Sequence, residues 1–216
     1  LLLAIEQFER AIEIDPEFAS PHVGIADVRL LQSAWSYEDP VKLAAPWRVA
    51  IDRAVALDDS LAEAQASYGF GKFIFDFDPY TAFHARRQAI RLEPNDSQVR
   101  HWYGVCLYQS GRTDEALVAL EESAMLDPKS HIVDFSVGMT YLTGRRYDEA
   151  EAVLNATLDD APDFVPIYQG LVYLHIVQGR TREAVVAAQR QAELREYDAM
   201  GLAMLSLAQA ADGQSD

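Results

Sequence analysis

Cysteine is nearly absent from this chain of 216 residues, in which Cys106 stands alone. A single cysteine cannot form an internal disulfide, and it excludes a metal site built on paired cysteines. A chain without disulfides tolerates either an oxidising or a reducing compartment. Because no basic residue close to Cys106 in the sequence would activate its thiol, we expect a half-buried, inert side chain.

Basic residues are scarce as well: 18 Lys and Arg stand against 34 Asp and Glu, which gives a formal net charge of −16. Binding to a phosphate backbone depends on clustered Lys and Arg, so the charge excludes a nucleic-acid partner. Half of the residues are hydrophobic, too many for a disordered chain. No run approaches the ~18 consecutive apolar residues of a membrane span, so no membrane insertion is expected.

Motifs of catalysis and metal binding are missing too. The five histidines fall in no metal-ligand spacing, and no glycine-rich phosphate loop or nucleophile elbow is present. Asp76 and Asp78 could begin a calcium loop, but the residues after them are apolar and basic. Asp78 before Pro79 is instead typical of a helix N-cap. We therefore predict no enzyme activity, no metal and no cofactor, and we expect His175 to be a hydrogen-bonded core histidine.

What the chain does contain is a repeat of 34 residues. This spacing separates Pro94 from Pro128 and Pro128 from Pro162. It recurs at further glycine, alanine and apolar positions, namely Gly104 and Gly138, Ala116, Ala150 and Ala184, and Tyr103, Val137, Leu171 and Leu205. Within a unit the apolar spacing is helical on both sides of a Gly-Arg break at Gly111, so each unit is predicted to be a helical hairpin. A hairpin cannot bury both faces alone and must stack on its neighbours.

In these residues the chain resembles the tetratricopeptide repeat (TPR) family. The segment 97–130 carries the family's pattern at Tyr103, Gly104, Leu107, Ala116, Leu120 and Pro128, and departs from it at Arg100. The segment 165–198 has His175 where the pattern usually has Tyr. The resemblance implies an all-α fold, a right-handed α–α superhelix (TPR solenoid) of about six helical-hairpin repeats.

The repeat register divides the chain into segments. It gives a half repeat 1–18, a longer repeat 19–61, the repeats 62–96, 97–130, 131–164 and 165–198, and a half repeat 199–216. Because both ends fall inside a repeat, we expect one solenoid domain that is a fragment of a longer protein. The longer repeat holds about nine extra residues near 36–46. Asp39-Pro40 and Ala45-Pro46 favour helix starts, so this insert should lengthen a helix or add a short turn.

In the TPR family, defined positions of each first helix line a concave groove. The resemblance places there Ala66, Phe70, Phe73, His101, Val105, Tyr108, Phe135, Met139, Leu142, Gln169, Tyr173 and Ile176. Family members that clamp a carboxylate carry Lys, Arg and Asn at such positions, and none of these twelve residues is Lys, Arg or Asn. An apolar peptide or amphipathic helix is the expected ligand. Alternatively, tight curvature or folding of the insert over the groove would bury this stripe.

The sequence thus favours a non-catalytic, sensory or protein-binding scaffold. The stretch from Ala54 to Tyr80 resembles repeats of bacterial multidomain regulators that carry winged-helix, adenylate-cyclase or protein-kinase domains. This resemblance implies a role in signal transduction and a cytoplasmic location, with the periplasm as the alternative. Self-association as a homo-oligomer is a second hypothesis. A third is small-molecule sensing, with hydrogen bonds from His101, Tyr108 and Tyr173.

Overall fold

The computed structural model describes residues 1–34 and 38–213, and the regular secondary structure of these residues is entirely α-helical. The helices are α1 (Leu2–Ile14), α2 (Ala19–Ala34), α3 (Pro40–Leu57), α4 (Ala62–Asp76), α5 (Pro79–Leu92), α6 (Ser97–Gln109), α7 (Thr113–Leu126), α8 (His131–Thr143), α9 (Tyr147–Asp160), α10 (Val165–Val177), α11 (Thr181–Leu194) and α12 (Ala199–Ala211). The predicted all-α fold of about six helical hairpins is confirmed. None of the helices in the described part is long and apolar enough to cross a membrane.

The helices form two compact units, Leu1–Cys106 and Leu107–Asp216, which divide within α6. In each unit first helices pack on the second helix of their own hairpin, as α4 does on α5 and α8 does on α9. First helices of successive hairpins also contact each other, α2 with α4 in the first unit and α8 with α10 in the second. One face of each unit is therefore built from first helices alone.

Small residues at the repeating positions let the two helices of a hairpin approach closely. Ala116, Ala150 and Ala184 are completely buried, as the 34-residue register requires of a core position. A methyl group added at Gly138 in α8 would lie 2.7 Å from the Leu154 side chain of α9. Packing of this density makes the glycine a requirement of the hairpin and not of a turn.

Two aspartates begin helices as predicted. Asp39 caps α3 by accepting a hydrogen bond from the Val41 N–H at 2.9 Å, and Asp78 caps α5 by accepting one from the Thr81 N–H at 3.0 Å. Each side chain satisfies a backbone donor that the first helical turn leaves without a partner.

The helix start predicted at Ala45-Pro46 is wrong, because Pro46 lies inside α3. Proline lacks the N–H that would bond to the preceding turn. The helix continues past Pro46 because Leu43, Trp47 and Ile51 recur every four residues and are all buried. Residues 36 and 37 of the predicted insert lie outside the described residues; residues 40–46 form the first turns of α3, which is 18 residues long where α7 has 14.

Candidate partner-binding groove

The predicted groove residues of the first unit lie on α4 and α6. Ala66, Phe70, His101 and Val105 are buried, and Phe73 is half-buried. The Phe70 ring lies 5.1 Å from the Trp102 ring, between centroids, at an angle of 36°. Phe70 on α4 and Trp102 on α6 therefore form an aromatic pair between two first helices.

In the second unit the predicted groove residues lie at the end of α6 and on α8 and α10. Phe135 and Leu142 are buried, whereas the remaining residues are half-buried, namely Tyr108, Met139, Gln169, Tyr173 and Ile176. A methyl group added at Gly170 would lie 3.5 Å from the Phe135 ring, which places that ring against α10. The Gln169 side-chain N–H₂ donates to the Tyr173 hydroxyl at 3.4 Å.

None of the twelve predicted groove residues is exposed. The exposed large apolar side chains of the described residues lie elsewhere; among them are Val118 and Met125 on α7 and Val186 on α11. In the free protein, the half-buried members of the predicted groove thus provide most of its accessible surface. Their role in binding stays a prediction.

The first helix α2 of the first unit carries an acidic residue. Asp27 lies on α2, and its Oδ1 atom is buried without a hydrogen-bond partner. Burial raises the pKa of this carboxyl group to about 7, the neighbouring Ser67 hydroxyl opposes the rise, and the charge of Glu63 adds to it. Asp27 is consequently poised to change its charge near neutral pH.

A buried guanidinium lies against the Phe70 ring of the first unit. Arg86, on α5, is completely buried, and its Nη1 donates to the Trp102 carbonyl. Its guanidinium carbon lies 5.1 Å from the centre of the Phe70 ring. The Nε and Nη2 atoms have no hydrogen-bond partner. Burial lowers the pKa of Arg86 to about 10, so the group keeps its charge at neutral pH.

This cation changes the chemistry of its neighbours. Burial and then the charge of Arg86 lower the pKa of His101 to about 4, so this groove histidine is neutral under physiological conditions. Burial raises the pKa of Cys106 to about 11 against the opposing effect of Arg86. The expectation of a half-buried Cys106 is therefore corrected to full burial, since the side chain faces the hairpin interior.

Arg86 was not among the sequence candidates, although the sequence holds a signal for it. It occupies the register position at which Leu120 and Leu154 stand in later repeats, one helical turn after a repeating alanine. A basic residue in a column of leucines is a departure from the repeat pattern. The predicted groove residues all lie on first helices, whereas Arg86 belongs to a second helix.

The remaining chemical candidates serve the fold. The Asp76 carboxylate accepts hydrogen bonds from Lys72, at 2.7 Å, and from Arg48. His175 is buried, but its Nδ1 lacks the expected hydrogen bond. The neighbouring Arg180 donates to the Glu151 carboxylate at 2.7 Å. Burial, followed by the charge of Arg180, lowers the pKa of His175. No group of three or more potential ligands for a metal ion occurs among the described residues.

A family model for the tetratricopeptide repeat matches residues 84–131 and 135–200, more than half of the chain. The chain belongs to the tetratricopeptide repeat family. TPR proteins generally mediate protein–protein interactions, and the fold is generally a non-catalytic scaffold. No curated protein matches this TPR chain.

Several solved structures share the TPR fold. PilW, a widely conserved type IV pilus biogenesis factor, is 17% identical with a TM-score of 0.67, covering 88% of this chain and 87% of PilW. A thermophilic TPR protein from Thermus thermophilus is 18% identical with a TM-score of 0.70, covering 86% of this chain and 98% of that protein. YrrB, a TPR protein with an unusual peptide-binding site, is 20% identical with a TM-score of 0.53, covering 92% of this chain and 97% of YrrB. At these identities the likeness establishes the fold alone.

Proposed function

We propose that this TPR chain is a non-catalytic, cytoplasmic interaction module of a larger bacterial regulator, and that it binds an apolar peptide or amphipathic helix along its first helices. The observation that carries the proposal is the composition of the predicted groove. In a chain with a net charge of −16, none of its twelve residues is Asp, Glu, Lys or Arg. An uncharged face within a strongly acidic surface suits a ligand whose contact side is apolar.

The second unit offers the most accessible part of this face. Met139 on α8 and Tyr173 and Ile176 on α10 are half-buried, and α8 packs directly against α10. A thioether and an aromatic ring adapt to varied apolar side chains. A short apolar helix laid between α8 and α10 would cover these three residues while its polar side stayed in water. YrrB, a TPR protein with an unusual peptide-binding site, supports this proposal by analogy of fold.

The test uses a defined ligand obtained by selection. A library of amphipathic helical peptides displayed on phage is selected on the immobilised chain, and the affinity of the best peptide is measured by isothermal titration calorimetry. Met139→Asp and Ile176→Asp should each weaken binding at least about tenfold, because a buried carboxylate then faces the apolar side of the peptide.

Val186→Asp is the matched control, since Val186 is an exposed apolar residue on α11, outside the predicted groove. Circular dichroism verifies that all three variants keep their helical content. If the Val186 variant lost affinity while the two groove variants kept it, the peptide would bind to the second helices and the proposed groove would be wrong.

A further inference from the structure

We propose that Arg86 is an anion-binding residue whose missing partner is a carboxylate group carried by the bound peptide. The inference deepens the proposed function, on which it rests for the source of the carboxylate. It assigns to the first unit a single polar anchor beneath an otherwise apolar groove. Such an anchor would fix the register of a ligand that apolar contacts alone leave free to slide.

The repeat register shows that packing does not require a charged residue here. Leu120 and Leu154 stand at the corresponding positions of the next two hairpins, and both are completely buried, as Arg86 is. A leucine therefore fills this position of the hairpin core. The cation at residue 86 calls for an explanation other than the volume it occupies.

The structure leaves the Arg86 cation without a counter-charge. Its hydrogen bond to the Trp102 carbonyl and its contact with the Phe70 ring are the favourable interactions that it makes. Cys106 and Tyr103 are the groups whose electrostatic interaction favours its charged form, and neither is a carboxylate. A ring and one carbonyl recover only part of the free energy that a buried guanidinium loses on leaving water.

The two unpartnered nitrogens identify the kind of ligand that would fit. Nε and Nη2 lie along one edge of a guanidinium, and their two N–H bonds point in the same direction. The two oxygens of a carboxylate match this edge and accept both hydrogen bonds in parallel. A single planar anion therefore satisfies both orphaned donors of Arg86 at once.

The second unit contains this arrangement already complete. Arg195 also has a buried side chain, and its Nε and Nη2 donate to the two carboxylate oxygens of Asp198 at 2.8 and 2.7 Å. The same two nitrogens that Arg86 leaves unused are thus paired with a carboxylate at Arg195. Asp198 supplies an internal carboxylate to Arg195, whereas among the described residues no carboxylate pairs with Arg86.

Two of the groups that interact with Arg86 belong to the predicted groove. Phe70 and His101 are both predicted groove residues, and both interact with the guanidinium. In this proposal the Phe70 side chain moves aside, so that a carboxylate bound in the groove reaches the guanidinium. A carboxylate within an apolar segment is favoured over a polyanion such as nucleic acid, because the net charge of −16 repels extended negative charge.

The first experiment measures thermal unfolding of the wild-type chain and of Arg86→Leu. An unpaired buried cation destabilises the free protein, so the variant should unfold about 2–4 °C higher than the wild type. If Arg86→Leu instead unfolded at a lower temperature, Arg86 would be a structural residue and the proposal would be overturned.

The second experiment adds phenylacetate as the probe and its neutral analogue phenylacetamide as the comparison. Phenylacetate should raise the wild-type unfolding temperature in a saturable manner by about 3 °C, and phenylacetamide should not. The effect should vanish in Arg86→Leu and persist in Arg87→Leu, which removes the exposed arginine next to it. An equal shift in the Arg86 and Arg87 variants would mean that the anion binds elsewhere.

A third measurement does not depend on any added ligand. Phe70→Glu places a carboxylate beside Arg86, and Phe70→Gln places a neutral group of the same shape there. Glu should be more stabilising than Gln when residue 86 is Arg, and this advantage should disappear when residue 86 is Leu. An advantage of Glu that is the same in both backgrounds would contradict the pairing.

The selected groove peptide then separates this inference from the proposed function. Versions with a central Glu or Gln are compared on the wild-type chain, and at least about a tenfold preference for Glu is expected. If both versions bound equally, the Arg86 inference would fail while the groove stood. If phenylacetate bound to Arg86 but no peptide bound to the groove, the proposed function would fail while the anion site stood.

Discussion

The hairpins α4–α5 and α8–α9 solve the same packing problem with side chains of opposite character. In each, a glycine of the first helix faces one register position of the second helix. Methyl groups built at these glycines show how close the approach is: one at Gly69 would lie 2.8 Å from the Arg86 side chain, and one at Gly138 would lie 2.7 Å from that of Leu154. The closeness of the two helices is thus the same at two positions that differ by a full charge.

The repeat therefore specifies the space available at the position of Arg86 and Leu154, but not the chemical character of the side chain there. Leu154 is completely buried and contributes only apolar contacts. Arg86 fills the same space and adds two unsatisfied donors. A repeat protein can therefore carry a functional group in one hairpin without a change in the fold of the others, provided that the loss of stability leaves the protein folded.

The largest effect is expected when the charge is placed in the α8–α9 hairpin. Leu154→Arg would bury a cation against Gly138 and Gly170, in a space shaped for an apolar side chain. We expect a loss of about 4 kcal/mol or more in the free energy of unfolding, enough to disrupt the second unit. Urea unfolding followed by circular dichroism measures the loss, and Leu154→Met is the control of similar volume. A loss below about 1 kcal/mol would show that this register position accepts a cation in any hairpin.

The glycines provide a finer comparison. In Gly69→Ala the new methyl group meets the backbone carbonyl of Ala82 at 2.9 Å as well as Arg86, and a backbone atom cannot move aside easily. In Gly138→Ala the two nearest atoms belong to the tip of the Leu154 side chain, which can shift. We expect Gly69→Ala to cost about 2 kcal/mol and Gly138→Ala about 1 kcal/mol, after the better helix propensity of alanine is included. Urea titrations of both variants test the ranking, and equal losses would contradict it.

The sequence predicts those features of the fold that recur in every repeat, and it does not predict contacts that occur only once. The 34-residue spacing of Pro94, Pro128 and Pro162 indicated the hairpins because helix ends and core alanines recur in every unit. The helix start at Pro46 was mispredicted, since local proline chemistry was outweighed by the burial of Trp47 in the same helix. Contacts between chemically unlike side chains from different helices are not periodic. For this reason the hydrogen bond from Arg86 to the Trp102 carbonyl could not be predicted from sequence.

Buried Asp27 offers a comparison by pH, again within the first unit. Because its pKa is raised to about 7 by burial, the folded chain holds a proton that the unfolded chain releases near pH 4. This residue therefore makes folding less favourable as pH rises from about 4 to 7, by about 2 kcal/mol between pH 5 and pH 8. In Asp27→Asn this contribution should be absent. Urea unfolding of both proteins at pH 5 and pH 8 measures the difference between them, and parallel changes in both would refute the assignment.

The smallest expected effect concerns an arginine that is already paired and exposed. The Arg146 Nε donates to Glu149 at 2.9 Å, and its guanidinium carbon lies 4.5 Å from the centre of the Tyr141 ring. Both charged side chains remain largely in water, so Arg146→Ala should lower the free energy of unfolding less than any of the changes above, and less still at high salt. The measurement is urea unfolding at low and high sodium chloride concentrations, with Glu149→Gln as the control for the ion pair.

Arg146 and Arg86 both contact an aromatic ring, and they differ in solvent access and in the presence of a carboxylate. If removing Arg146 cost as much as introducing a charge at Leu154, burial would not be what makes the arginine of the α4–α5 hairpin exceptional.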